Sequence, residues 1–164
     1  MDWIDECRKK CKKVKYIEED FIWQEKPSRS EYLVATSKLL DENHDPIPDL
    51  FLTGEYRPLR KGRGEIYTIA LKFFISAGEQ RRVFMIESYP SYMTSHRDKN
   101  GEIFGPHLHL GDDRIEQIVK QIFAREDGLP FSHWAKRFVR HARVHAPNSH
   151  DIDIPGPFEN DIFG

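Results

Sequence analysis

Two histidines stand one residue apart in GPHLHLGDD, Gly105 to Asp113, between a Gly-Pro entry and a Gly-Asp-Asp exit. In an extended strand successive side chains alternate faces. His107 and His109 then share one face and Leu108 and Leu110 the other, with the two histidine Cα atoms about 7 Å apart. Imidazoles so placed can chelate one metal ion, or divide the roles of general acid and general base, because histidine titrates near neutral pH. The strand is expected to turn Leu108 and Leu110 into the core and to leave His107 and His109 on an open face. It should then run through Gly111 into a helix N-terminus, whose free backbone amides favour an anion such as phosphate. Asp112 or Asp113 would cap that helix, or one of them would hydrogen-bond a histidine and fix its tautomer. The same nine residues also describe a half-exposed strand with two surface histidines and an ordinary cap.

Other residues with chemical potential lie around this stretch. His96 precedes the turn Asp98-Lys99-Asn100-Gly101; it reads first as a solvated loop histidine, although pairing of the two arms would carry it towards His107 and make a three-histidine cluster. His133, Arg137, His141 and His145 recur every four residues, a basic ridge on a helix. Its HARVH segment has the spacing of a helical metal pair but lacks the Glu beside the first His that a zinc protease carries. Arg57, Arg60, Lys61 and Arg63, near Tyr56 and Tyr67, form either a solvated loop or a local patch for phosphates and bases. Cys7 and Cys11 are four residues apart, which places two thiols on one helix face and suits a reducing compartment. A Gly-rich phosphate loop, a Gly-x-Ser-x-Gly elbow and a cysteine partnered by a nearby histidine are all missing from the sequence, which argues against P-loop and covalent hydrolase chemistry.

The elements that must position these groups follow from periodicity. Trp3, Cys7, Cys11 and Val14 recur at helical spacing over residues 4–14. Strands are expected over Glu31–Leu40 and Asp49–Pro58, separated by a loop that Pro46 and Pro48 keep irregular. EIYTIALKFFIS, Glu65–Ser76, is apolar on both faces and should be a central strand, joined through Gly78 to RRVFMIESY as a hairpin partner. Over Asp112–Glu126, Ile115, Ile118, Val119, Ile122 and Phe123 fall at i, i+3, i+4, i+7 and i+8, the stripe of an amphipathic helix. A second helix should begin at Ser132, with Trp134, Phe138 and Ala142 inward. The reading is an α+β domain over residues 1–145: an N-terminal helix, a mainly antiparallel sheet of five or six strands, and two C-terminal helices packed on one face. Residues 146–164 form an acidic arm, whose Ile152, Ile154, Phe158, Ile162 and Phe163 are expected to dock on a neighbouring subunit.

With 164 residues, 38% of them apolar, and a formal net charge of −2, the chain can build one core and has no global field to attract nucleic acid. Neither a membrane-length apolar run nor a signal-peptide core is present, so a cytoplasmic location is expected. The succession of a β-hairpin, a polar loop and PHLHLGD, Pro106 to Asp112, leading towards a helix resembles the TumE-like toxins of bacterial toxin-antitoxin systems over about residues 66–123. That resemblance implies a small α+β toxin acting on a nucleic acid or a nucleotide process, with a cognate antitoxin as partner. It implies catalytic roles for His107, His109 and Asp112. The family's aromatic-Asp-Asn triplet is replaced here by Glu87-Ser88-Tyr89, which leaves Glu87 as a substitute acid. The expected function is thus a toxin-like nuclease or phosphodiesterase, working by acid-base cleavage or with a metal held between the histidines. Its rival is a non-catalytic binding module or a homo-oligomeric interaction protein, with a homodimer as the expected form.

Overall fold

A computed structural model of the protein describes residues 2–18, 21–76, 78–123, 128–145 and 154–158. Helix α1 (Trp3–Lys12) starts where the Asp2 carboxylate accepts the Asp5 amide at 2.8 Å and ends in a basic turn, both favourable to the helix dipole. Strands β1 (Lys15–Ile17), β2 (Gln24–Lys26), β3 (Arg29–Leu40), β4 (Pro46–Pro58), β5 (Glu65–Ser76) and β6 (Glu79–Glu87) follow. Next come β7 (Thr94–Asp98), β8 (Gly101–Phe104), β9 (His107–Asp112) and β10 (Glu116–Gln121), then helix α2 (Phe131–Ala142) and the short β11 (Val144–His145).

Among the described residues, nine strands form one sheet in the order β10-β9-β6-β5-β4-β3-β1-β11, with β2 beside β3. Every pairing is antiparallel except the two-residue contact of β1 with β11. Strand β5 is central, as its two apolar faces require. One face of the sheet carries the core: Ile69, Leu71, Phe84 and Ile86 pack with Trp134, Phe138 and Ala142 of α2 and with Cys7 and Cys11 of α1. Burying each large apolar side chain there contributes roughly 1.5–3 kcal/mol. The opposite face is covered, over β9, by the separate hairpin of β7 and β8.

The α+β class and the N-terminal helix agree with the sequence reading, whereas the sheet is larger than five or six strands and, among the described residues, there is one C-terminal helix, not two. Residues 116–121, expected within a helix over Asp112–Glu126, form β10, paired with β9 from Asp112↔Glu116 to His107↔Gln121. Two local features turn the chain back. Gly111 adopts φ +92, where an added Cβ would sit 2.3 Å from the Glu116 carbonyl oxygen. Asp112 then accepts the Arg114 amide on Oδ1 at 2.9 Å, closing a tight turn in place of a helix cap. Pro46 and Pro48 do not keep the chain irregular as expected. Asp41 accepts the Asn43 and Asp45 amides, the turn ends at residue 45, and Pro46 opens β4, a position that needs no amide donor.

In α2, Trp134, Phe138 and Ala142 are buried as the spacing predicts. Arg143 is left-handed, at φ +51, and ends the helix, so His141 and His145 do not share a helical face. Of the arm, Ile154 lies in the chain's own core, the Pro155 carbonyl accepts Trp23 Nε1 at 2.9 Å, and Phe158 packs edge-on to Tyr56. Ile152, Ile162 and Phe163 lie outside the described residues. No helix among the described residues is long and apolar enough to cross a membrane.

Candidate metal centre

The register of β6 against β9 sets Glu87 opposite His107 and Met85 opposite His109. Alternation then puts Glu87, His107 and His109 on one face and the Leu108–Ile86 and Leu110–Phe84 pairs on the helix-covered face. The side assignment is as expected, but the histidine face is not open. His107 is fully buried and His109 is 4% exposed, while Leu108 and Leu110 are only half-buried. What closes the histidine face is the β7–β8 hairpin. It pairs with itself, not with β9, and folds over so that His96 lies 5.2 Å from His109 and 6.0 Å from His107, ring centre to ring centre. Gly105, at φ +74, makes the bend between β8 and β9, where a Cβ would crowd Ser91.

One ring nitrogen from each of His96, His107 and His109 lies within 4.8 Å of the other two. Glu87 Oε2 lies beside two of them, 3.0 Å from His107 Nε2 and 3.8 Å from His109 Nε2. Donors about 2.1 Å from a shared ion stand about 3.4 Å apart in a tetrahedron and about 3.0 Å apart at neighbouring corners of an octahedron. The separations to Glu87 bracket those values, so the carboxylate suits a fourth ligand.

Hydrogen bonds set which nitrogens hold lone pairs. Arg82 can only donate, and its Nη2 donates to Gln117 Oε1 at 2.7 Å, which fixes that amide oxygen as an acceptor. His109 Nδ1 lies 3.1 Å from the same oxygen and must carry its proton there, which leaves Nε2 to face the cluster. His107 Nδ1 donates to the Gly105 carbonyl at 3.2 Å. Its Nε2 is buried without a hydrogen-bond partner, because the Glu87 oxygen is close but out of line. A lone pair facing a carboxylate at that distance is repulsive unless a proton or a metal ion lies between them. On the third ring, Asp98 accepts from His96 Nε2 at 2.9 Å, leaving Nδ1 as the ligating nitrogen.

Burial alone would raise the Glu87 carboxyl, yet hydrogen bonds and positive charge from the His107 and His109 imidazoles outweigh it and hold the group down to about 2, so it is ionised while those rings carry protons towards it; a metal ion between neutral rings would supply the same positive charge. Burial, aided by the Arg82 charge, pushes His109 below its ordinary value, towards the neutral form a metal ligand needs. Hydrogen bonds from His96 and from the Asn100 amide lower Asp98.

Asp112 stands outside the cluster. Burial would raise its carboxyl, but hydrogen bonds from Arg114 and Arg82 prevail and lower it; its Oδ2 accepts the Arg82 amide at 3.1 Å. Arg82 Nε in turn donates to the Gly111 carbonyl, so Asp112 acts on His109 through Arg82 and Gln117. Reading the sequence missed Arg82, Gln117 and Asp98. Asp98 lay two residues from His96 and was legible as its partner, whereas Gln117 reaches His109 only because β10 is a strand. Among the basic loop residues, Arg57 reaches the site's edge: it donates to the Tyr89 hydroxyl at 3.0 Å, and the Tyr89 ring lies 5.9 Å from His107. Cys7 and Cys11 are buried free thiols; burial pushes Cys7 up to about 12 and Cys11 up to about 11, so neither acts as a nucleophile at neutral pH. No protein-family model matches the chain, and no curated protein or solved structure matches it.

Proposed function

We propose that the protein is a metal-dependent hydrolase whose divalent ion is held by His96, His107, His109 and Glu87. The observation that carries this reading is the convergence of three imidazoles, one ring nitrogen from each within 4.8 Å of the others, with His107 Nε2 buried, out of line for a hydrogen bond and 3.0 Å from Glu87 Oε2. Three imidazoles and one carboxylate suit zinc, iron(II), manganese(II) or nickel(II). Such an ion, when bound, supplies an acidified water and a Lewis acid for a phosphoryl or acyl oxygen. The chain's own residues orient the ligands and bring positive charge near the centre through Arg57 beside Tyr89, which suits an anionic substrate. A phosphodiester is the substrate that the PHLHLGD resemblance to TumE-like toxins favours, and an antitoxin is the partner it favours.

Metal content of the purified protein, followed by cleavage assays on RNA and DNA with chelated and reloaded enzyme, tests the proposal. About one ion per chain and cleavage that His109→Ala abolishes are expected. Stoichiometric metal with no cleavage of either nucleic acid would refute the phosphodiesterase; absence of specific metal binding would refute the centre itself.

The enclosure of the site favours a second reading, in which four protein ligands form a closed structural site that pins the β7–β8 hairpin to the sheet of a binding module. Chelation separates the two. A structural ion leaves with a fall in melting temperature and exposure of the hairpin to proteolysis, whereas a catalytic ion takes activity and leaves the fold.

A further inference from the structure

On the helix-covered side of the sheet, the amphipathic stripe over Ile115–Phe123 has gone into a strand and a turn, so among the described residues no third helix covers the end of the core. A cleft of about 350 Å³ remains between α1, the end of α2 and the β9–β10 hairpin. Its floor is apolar: Phe84, Leu108, Leu110 and Ile118. Three cationic side chains stand around it, Arg8 and Lys12 from α1 and Lys120 from β10, with His141 of α2, which burial holds towards its neutral form, and among its described lining residues none is acidic.

We propose that this cleft binds a small amphiphile with one anionic head and an apolar body, a compound of the medium-chain carboxylate class. The size lies at the lower end of ligand pockets, roughly 300–1,000 Å³. Leu108 and Leu110 are only half-buried although they belong to the core face, so an apolar body seated on them removes from water the surface that the missing helix leaves open. The head group is set by charge. Arg8 already shares its charge with Asp5 at 3.3 Å, whereas Lys12 and Lys120 line the cleft from α1 and β10, like charges that an anion bound between them would neutralise. The His141 ring packs on Phe84 at 5.3 Å and forms a further side of the cleft. The site lies on the other face of β9 from His107 and His109, so it neither shares residues with the metal centre nor depends on it.

Calorimetric titration of the full chain with decanoate below its micellar concentration tests the proposal, with decanol and decyltrimethylammonium as neutral and cationic counterparts. One decanoate per chain is expected, with decanol at least tenfold weaker and no saturable binding of the cation. The double variant Lys12→Glu and Lys120→Glu, both exposed positions, should weaken decanoate at least tenfold. Decanoate affinity should be the same with chelator or with metal, which separates this site from the histidine cluster. The proposal is overturned by equal affinity for decanol, by saturable binding of the cation, by a double variant that binds decanoate normally, or by no saturable decanoate binding.

Discussion

Replacing Gln117 with Leu tests whether the histidine cluster is built for a metal, because Gln117 touches only the far side of one ligand. Its Oε1 receives Arg82 Nη2 at 2.7 Å and the His109 Nδ1 proton at 3.1 Å. Leucine keeps the strand and much of the volume but removes the acceptor, so a buried N–H loses its partner and His109 is free to change tautomer or rotate. An unsatisfied buried donor costs about 1–3 kcal/mol. Loss of the group that orients a ligating histidine lowers metal affinity ~10–100-fold, about 1.4–2.8 kcal/mol, so the two estimates agree. Cobalt(II) absorption and competitive zinc titration would measure the effect, with melting of the metal-free protein as a control for damage to β10. Gln117→Glu retains an acceptor and makes the imidazole more basic, so it should bind metal at least as tightly as wild type. If Gln117→Leu binds within twofold of wild type while His109→Ala abolishes binding, the proposed relay from Arg82 to His109 is wrong. If His109→Ala also binds normally, the centre is wrong.

His96→Ala removes a ligand carried by the hairpin, and should weaken metal binding more than Gln117→Leu does while barely changing the melting of the metal-free protein; Asp98→Asn should weaken it roughly tenfold, both read by the same titration. Gly111→Ala puts a Cβ 2.3 Å from the Glu116 oxygen and 2.7 Å from Ile4 Cδ1 at a φ of +92, so urea unfolding should show a loss of about 2–4 kcal/mol, with metal affinity falling as Gln117 shifts. Lys15 is fully buried, its Nζ donating to the carbonyls of Lys10 and Lys13, and burial lowers it from 10.5 to about 8. The folded protein therefore holds this proton less tightly than the unfolded chain. The penalty is fully present below pH 8 and disappears as pH rises to 10.5, so the stability of wild type relative to Lys15→Met should climb by about 3 kcal/mol across that window in denaturant titrations.

What the sequence disclosed was local. The alternation in EIYTIALKFFIS and RRVFMIESY fits a central hairpin, the Asn100-Gly101 turn forms with Gly101 at positive φ, and Trp134, Phe138 and Ala142 share the inner side of one helix. The sides taken by Leu108 and His107 follow from the two-residue period of a strand. Their exposure does not, because it depends on where a separate hairpin comes to rest. Glu87 enters the cluster through a register that no short window of sequence encodes.

The stretch after Asp112 shows how one local choice decides the chemistry. Ile115, Ile118, Val119 and Ile122 satisfy a helical period, but they are also β-branched residues behind a glycine at positive φ and an aspartate that closes its own turn. The paired edge of β9 prevails, since six residues of ladder beside an existing strand offer more than an isolated stripe on a short helix. Had the helix formed, β9 would have been an edge strand, and His109 Nδ1 would have had solvent in place of Gln117. As a strand, β10 flanks the histidine pair, presents an acceptor already fixed by Arg82, and holds His109 Nε2 towards Glu87 and His107. The same choice uncovers Leu108, Leu110 and Ile118 on the opposite face, so the orientation of His109 and the open basic cleft are two consequences of a single turn at Gly111.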